Sequence, residues 1–239
     1  QIRGESKRFL GYTRRHVSMG KPAIIGFGRY LPKLRIKAAE IAKHYGQEQE
    51  GIAALGLIEK TVPEQGEDTF TMAFEAGKQA LEMTKVQPAE VSAVYVGSES
   101  HPYAVKPTSS MLASALHVDP FCFAADLEFA CKAGTAAMQI VGSLVSSESI
   151  RYGLAVGSDT AQARPGDALE YTAAAGAAAF VIGRDDVKNA LCRIDRTLSF
   201  TTDTPDFWRP SGEAFPHHAG RFTGEPGYFH HMREAIKGI

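Results

Sequence analysis

The feature that most constrains this chain is a repeated alternation of short apolar segments with longer amphipathic ones. The apolar segments at residues 23–28, 91–97 and 154–157 each end at a glycine and are typical of buried strands. Between such segments, Asp68 and Thr69 precede a stretch with helical spacing and suit a helix N-terminus. Strands that alternate with helices predict an α/β fold in which helices cover a sheet.

The same patterns predict the remaining elements. Further strands are expected at residues 121–125, 177–182 and 198–204, and helices at 36–45, 109–116, 131–145 and 226–239. Residues 205–226 are rich in proline, glycine, histidine and aromatic side chains and predict a long functional loop.

Composition excludes several classes of protein. The 239 residues are 44% hydrophobic, which is ordinary for one or two globular domains. The formal net charge of −1 gives no electrostatic footprint for nucleic acid or for an anionic membrane. The three cysteines form no disulfide framework and indicate a reducing compartment, so we expect a cytoplasmic protein.

Residues 1–18 are basic and show no sustained hydrophobic period. They predict a disordered leader before a start at Met19.

Cys131 is the most informative residue for chemistry. It follows a predicted strand and opens a helix of small residues, where the helix dipole and Lys132 are expected to lower the pKa of the thiol. The free N–H groups of that helix could also hold an oxyanion when a thioester is attacked. The alternative, a small buried core cysteine, remains open for Cys131 and is the interpretation we adopt for Cys122 and Cys192.

Glu99 is the second candidate for chemistry. It comes directly after the strand at 91–97, and the carboxyl ends of strands in open α/β sheets face ligands. A carboxylate shielded there would have a raised pKa and could act as a general acid or base, although a solvated turn residue is the common alternative. His101 could also act as a base, but a histidine before a proline in a loop is more often a hydrogen-bonding turn residue, which is the interpretation we adopt.

Other motifs do not reach the spacing that their chemistry needs. Gly26-Phe27-Gly28 lacks the third glycine of a dinucleotide fingerprint. The pairs His217-His218 and His230-His231 are adjacent, so their side chains diverge, and we predict no metal site.

Four motifs in order resemble the archaeal type of 3-hydroxy-3-methylglutaryl-CoA synthase, a member of the thiolase superfamily. They are the sequences at residues 96–107 (VGSESHPYAVKP), 125–135 (ADLEFACKAGT), 202–209 (TDTPDFWR) and 220–226 (GRFTGEP). The resemblance runs from about residue 21 to residue 239. It implies a thiolase-like α/β fold of α-β-α-β-α layers, with residues 19–185 as a complete first half and 186–239 as the beginning of a truncated second half.

The resemblance also implies roles for individual residues. Cys131 would be the nucleophile that takes the acetyl group, and Glu99 the general acid/base that removes a proton from the acetyl methyl. Thr172 and Thr223 would hydrogen-bond the acyl part of the substrate. Phe207 would pack against that part, and Arg221 would help to seat coenzyme A.

The implied reaction condenses acetyl-CoA with acetoacetyl-CoA in the mevalonate route to isoprenoids, without a cofactor. Implied partners are a second copy of the chain, an acetoacetyl-CoA thiolase and a small zinc-ribbon/OB-fold protein. The family's catalytic histidine, in a Phe-His-Gln-Pro type of motif, has no counterpart here, so we expect poor condensation by these 239 residues alone. The alternatives are an initiating ketoacyl synthase and a non-catalytic acyl-CoA-binding scaffold fragment.

Overall fold

A six-stranded mixed sheet organises the chain. The computed structural model describes residues 21–47, 56–160, 163–186, 190–220 and 223–238. The strands in the sheet are β1 (Pro22–Tyr30), β4 (Val91–Gly97), β5 (Phe123–Leu127), β6 (Tyr152–Asp159), β7 (Gly176–Arg184) and β8 (Cys192–Arg193). Their order is β5-β4-β6-β7-β1-β8. β4 is parallel to both of its neighbours, whereas the pairs from β6 to β8 are antiparallel.

Helices cover both faces of this sheet. The helices are α1 (Ala38–Tyr45), α2 (Thr69–Thr84), α3 (Thr108–Ala115), α4 (Ala133–Ser146) and α5 (His230–Gly238). Side chains of α2 and α3 share one core with β1, β4, β6 and β7, while α4 builds a second core on the opposite face. The described residues thus form an α-β-α arrangement, three of the five layers that the resemblance implies.

Two small pairs of strands complete the structure. β2 (Leu34–Lys37) pairs antiparallel with β3 (Glu59–Val62), and β9 (Phe207–Trp208) pairs antiparallel with β10 (His217–His218). Single turns of 3₁₀ helix occur at Pro88–Glu90, Ala130–Lys132 and Ala168–Tyr171, and a π-helical turn at Thr223–Phe229 precedes α5.

α2 begins where the sequence predicts, at a capping box. The Asp68 carboxylate accepts the Thr71 backbone N–H at 2.8 Å, and the Thr71 hydroxyl oxygen accepts the Asp68 N–H at 2.8 Å. The helix then lies directly on β1, because a Cβ at Gly28 would come within 2.0 Å of the Ala76 carbonyl oxygen. The cap and the close approach together fix α2 across the sheet.

We expect Asp68→Ala to lower stability by about 1 kcal/mol, since it leaves an N–H group at the start of α2 without its acceptor. For a chain of this size the melting temperature should fall by about 2–4 °C. Asp68→Asn, which keeps a capping oxygen, is the matched control. Equal melting temperatures for the alanine and asparagine variants would show that the cap does not stabilise α2.

Several predicted elements need correction. The prediction of a strand at 198–204 is wrong: this segment pairs with no strand among the described residues, and its side chains contact helices instead, through Ser199 to Gln139 and Thr202 to His231. The predicted helix at 36–45 begins only at Ala38, and the strand at 121–125 runs from Phe123 to Leu127. The predicted loop at 205–226 contains the β9–β10 hairpin.

The cysteines outside the candidate site differ from one another. Cys122 is half-buried and packs against the larger core, as predicted. Cys192 is exposed in the short edge strand β8, so the prediction of a core cysteine is wrong there.

The predicted leader lies outside the described residues, and the boundaries of the predicted halves stay predictions. No helix in the described part of the chain is long and apolar enough to cross a bilayer.

Candidate active site

The structure brings Glu99 and Cys131 together at the carboxyl ends of two parallel strands. β4 and β5 are paired up to Gly97 and Leu127, Glu99 follows two residues after β4, and Cys131 lies in the 3₁₀ turn after β5. The Cys131 thiol donates a hydrogen bond to the Glu99 carboxylate, with 3.9 Å between Sγ and Oε1. The two residues singled out from the sequence therefore form one site.

The Glu99 carboxyl has a raised pKa, as predicted. Burial is the largest cause, and the negative charge of Asp159 adds to it. The hydrogen bond from Cys131 and the positive charge of Arg209 act in the opposite direction. A carboxyl group in this environment exchanges a proton at higher pH than an ordinary glutamate, which suits a general acid/base.

The prediction of a lowered thiol pKa at Cys131 is wrong. Although the residue as a whole is exposed, partial burial of its thiol and the charge of Glu99 raise the pKa above its usual range. α4 begins only at Ala133, and the Lys132 ammonium lies over the Phe129 ring, 4.6 Å from its centroid. The resting thiol is therefore protonated, and a base must take its proton before the sulfur can attack.

Asp159 is the residue of this site that the sequence reasoning missed. It ends β6, and its carboxylate accepts the Glu99 N–H and the Ser100 hydroxyl, each at 2.8 Å. The Thr69 hydroxyl at the start of α2 lies 2.9 Å from the Ser100 hydroxyl oxygen. Buried hydroxyl groups thus fix the turn that carries Glu99. A polar Ser-Asp pair directly after the apolar segment 154–157 was the available signal.

His101 fixes the other end of this turn. Its Nδ1 lies 2.9 Å from the Thr108 hydroxyl oxygen and 3.4 Å from an Asp126 carboxylate oxygen. Asp126 in turn accepts the backbone N–H groups of Thr108 and Ser109, at 2.7 Å each, where α3 begins. The interpretation of His101 as a hydrogen-bonding turn residue is confirmed.

Gly97 lets α4 approach the end of β4. A Cβ at this position would lie 2.4 Å from the carbonyl carbon of Ala133 and 2.6 Å from the backbone nitrogen of Gly134. No side chain fits there, so the start of α4 rests on the backbone of β4. This contact sets the distance between the Cys131 turn and the Glu99 turn.

The other predicted site residues are not brought to this pair by the described contacts. Thr172 is exposed at the end of the 3₁₀ turn Ala168–Tyr171, where its hydroxyl donates to the Leu169 carbonyl at 3.3 Å. Phe207 lies in β9, opposite His218. Thr223 begins the π-helical turn, and Arg221 lies outside the described residues. No hydrogen bond of the described residues joins Thr172 or Phe207 to the pair, so their substrate contacts stay predictions.

The part of the chain that the structure describes shows no cluster of three or more histidine, cysteine, aspartate or glutamate side chains suited to a metal ion. The two adjacent histidine pairs serve structural contacts instead. His217 pairs with Glu213, and His218 lies 2.9 Å from an Asp167 carboxylate oxygen. His231 lies 2.8 Å from the Thr202 hydroxyl oxygen.

We expect Asp159→Asn to lower the pKa of Cys131, because the Asp159 charge is one of the causes that raise it. Glu99→Gln should lower it further, since the Glu99 charge is the larger cause. The pH dependence of iodoacetamide alkylation, read peptide by peptide, measures both shifts, with exposed Cys192 as the internal control. An alkylation midpoint at Cys131 that stays the same in both variants would contradict this description of the site.

Comparison with known proteins finds close relatives in archaea. The chain is 55% identical over 217 residues to the hydroxymethylglutaryl-CoA synthase of Methanocaldococcus jannaschii, covering 90% of this chain and 62% of the relative. It is 56% identical over 218 residues to the same enzyme of Methanothermobacter thermautotrophicus, with the same coverage. The chain thus spans about 62% of the length of these relatives. No protein-family model matches it.

Solved structures confirm the fold. The structure of MvaS in complex with 3-hydroxy-3-methylglutaryl coenzyme A matches with a TM-score of 0.82 at 24% identity, covering 92% of this chain and 54% of that one. A priming β-ketosynthase of a polyketide pathway matches with a TM-score of 0.66 at 27% identity, over 71% of this chain and 52% of that one. The predicted α/β, thiolase-like fold is therefore confirmed.

Proposed function

We propose that this chain, a homologue of the archaeal hydroxymethylglutaryl-CoA synthases over nine-tenths of its length, carries the acetyl-transfer site of such an enzyme. The observation that supports this most is the contact between the Cys131 thiol and the Glu99 carboxylate, at 3.9 Å. A nucleophile whose proton can pass directly to a base with a raised pKa is what acyl transfer requires.

The first step is thioester exchange. Glu99 takes the Cys131 proton, and Sγ attacks the carbonyl carbon of acetyl-CoA. A bond forms between Sγ and the acetyl carbon, the bond from that carbon to the coenzyme A sulfur breaks, and the leaving thiolate takes up the proton held by Glu99. The raised thiol pKa is the reason that a base speeds this step, because little thiolate is present at rest.

The second step makes the carbon–carbon bond. Glu99, again ionised, removes a proton from the methyl group of acetyl-Cys131, and the resulting carbon nucleophile attacks the ketone carbon of acetoacetyl-CoA. The alkoxide that forms takes up the proton that Glu99 removed, so Glu99 is ionised again. Water then hydrolyses the thioester to Cys131 and releases hydroxymethylglutaryl-CoA, so the thiol is restored. Both substrates are coenzyme A thioesters, and neither step requires a metal or a redox cofactor.

The remaining roles belong to the same proposal. Thr172 and Thr223 hydrogen-bond the acyl part of the substrate, Phe207 packs against it, and Arg221 helps to seat coenzyme A. The enzyme serves the mevalonate route to isoprenoids in the cytoplasm. It assembles with a second copy of itself, and with an acetoacetyl-CoA thiolase and a zinc-ribbon/OB-fold protein. Support for these statements is the similarity to the archaeal relatives.

An initiating ketoacyl synthase is the second candidate, because a priming β-ketosynthase resembles this chain at 27% identity. Both functions begin with acylation of a cysteine, so the acceptor distinguishes them. The higher identity of the archaeal relatives, 55% and 56%, favours acetoacetyl-CoA as the acceptor over a malonyl thioester.

The proposal is tested by mixing the chain with acetyl-CoA and measuring free coenzyme A with a thiol reagent after the protein is removed. We expect a burst of one coenzyme A per chain, and the Cys131→Ala variant mixed with acetyl-CoA gives the baseline. Binding of acetyl-CoA without any burst would contradict the proposal and favour a non-catalytic scaffold.

A further inference from the structure

Arg209 directly follows β9, in the loop that connects β9 to β10 within residues 205–226. The hairpin is held by backbone pairing of Phe207 with His218 and of Trp208 with His217. The rings of Trp208 and His217 also stack, with 5.7 Å between their centroids. The hairpin is anchored to the body of the protein where the His218 Nε2 lies 2.9 Å from an Asp167 carboxylate oxygen.

From this hairpin, Arg209 reaches the turn that carries Glu99. Its Nη2 donates to the backbone carbonyl oxygen of Glu99 at 3.4 Å. On the other side of the same residue, the Asp159 carboxylate accepts the Glu99 N–H at 2.8 Å. Side chains of opposite charge thus hold the N–H and the carbonyl group of one residue.

The same two side chains act on the Glu99 carboxyl group in opposite directions. The charge of Asp159 adds to burial in raising its pKa, whereas the charge of Arg209 and the hydrogen bond from Cys131 lower it. Without Arg209, only the thiol contact would oppose burial and Asp159 among these causes. The carboxyl group would then keep its proton to higher pH and be less available as a base.

We propose that Arg209 is a positioning residue for Glu99, which steadies the turn through its carbonyl group and offsets the negative charge of Asp159. This inference rests on the proposed role of Glu99 as general acid/base. Arg209 itself is exposed and does not touch the Cys131 thiol in any described contact, so its action passes through Glu99. It links the hairpin of the 205–226 segment to the chemistry of the site.

The test follows the titration of Glu99 by ¹³C NMR of side-chain carboxyl groups, with the Glu99 signal assigned from the Glu99→Gln variant. Arg209→Gln and Arg209→Met remove the charge in two different ways, and we expect each to raise the Glu99 midpoint, because the Arg209 charge lowers the pKa of that carboxyl group. Arg209→Lys keeps the charge and should restore most of the wild-type midpoint. Arg151→Gln is the matched control, because Arg151 pairs with Glu90 beside the start of β6, at the opposite end of that strand from Asp159.

The Glu99 midpoints of these variants test the role of Arg209 directly. A Glu99 midpoint that is unchanged in both uncharged variants would overturn the proposal, as would an Arg209→Lys variant that shifts as far as Arg209→Gln. The coenzyme A burst of the wild-type chain separates this inference from the proposed function. A burst without a shifted midpoint contradicts the role of Arg209 alone, and a shifted midpoint without a burst contradicts the proposed acetyl transfer alone.

Discussion

Cys131→Ala is expected to abolish both acetyl transfer and condensation, whereas Glu99→Gln should still accept an acetyl group and lose condensation. The first variant has no sulfur on which the acetyl group could form a thioester. The second removes the base, but it also removes the charge that raises the thiol pKa, so the thiolate forms more readily. No comparable change helps the second step, because the methyl group of acetyl-Cys131 still needs a base to remove its proton.

The expected size of the Glu99→Gln effect on condensation is about 10²–10⁴-fold, the usual contribution of a general acid/base. Acetyl uptake is read by intact-protein mass spectrometry. Condensation is followed as acetyl-CoA-dependent loss of acetoacetyl-CoA, in a fusion that adds the segment of the 55% identical relative that this chain does not match. Cys192→Ala is the control for removal of an exposed cysteine. Condensation at the wild-type rate by Glu99→Gln would reduce Glu99 to a turn residue.

Gly97→Ala is expected to produce the largest structural effect of any single methyl group in the site. The new Cβ would lie 2.4 Å from the Ala133 carbonyl carbon and 2.6 Å from the Gly134 nitrogen, and both are backbone atoms that cannot rotate away. α4 must therefore move off the end of β4, and the Cys131 turn must move with it. We expect a loss of about 3 kcal/mol or more, since the clash is with a backbone peptide group of α4.

For a chain of this length such a loss lowers the melting temperature by roughly 6–12 °C, which thermal unfolding followed by circular dichroism measures. Gly134→Ala is the matched control, because its Cβ would meet the Cα and the backbone nitrogen of Gly157 at ordinary contact distances of 3.4 and 3.9 Å. An alanine in this helix also has the better helix propensity. Equal melting temperatures for the two variants would mean that β4 and α4 are not packed as described.

Much of the fold follows from local patterns. The strands at Val91–Gly97, Tyr152–Asp159 and Gly176–Arg184 were predictable because buried strands read as continuous apolar runs. The start of α2 was predictable because Asp68 is a capping residue next to a helical pattern. Segment 198–204 was mispredicted, since its alternation resembles a strand but its side chains contact α4 and α5 rather than a neighbouring strand.

The candidate pair was predictable for a related reason: Glu99 and Cys131 each follow a strand, and parallel strands deliver their carboxyl ends to one edge. The charged side chains that surround Glu99 were not predictable. Asp159 and Arg209 reach Glu99 from 60 and 110 residues away along the chain, so no local pattern joins them. The thiol pKa was predicted with the wrong sign because the dipole and Lys132 were counted, while burial and the Glu99 charge were unknown.

Cys131 is proposed to be the residue that takes the acetyl group. The most direct measurement is peptide mapping by mass spectrometry after the chain is mixed with acetyl-CoA and quenched in acid, which preserves a thioester. We expect one acetyl group, on the peptide that contains Cys131 and removable by hydroxylamine, with the peptides of Cys122 and Cys192 unmodified. An acetyl group on another cysteine, or a Cys131 peptide that stays unmodified while coenzyme A is released, would contradict this proposal.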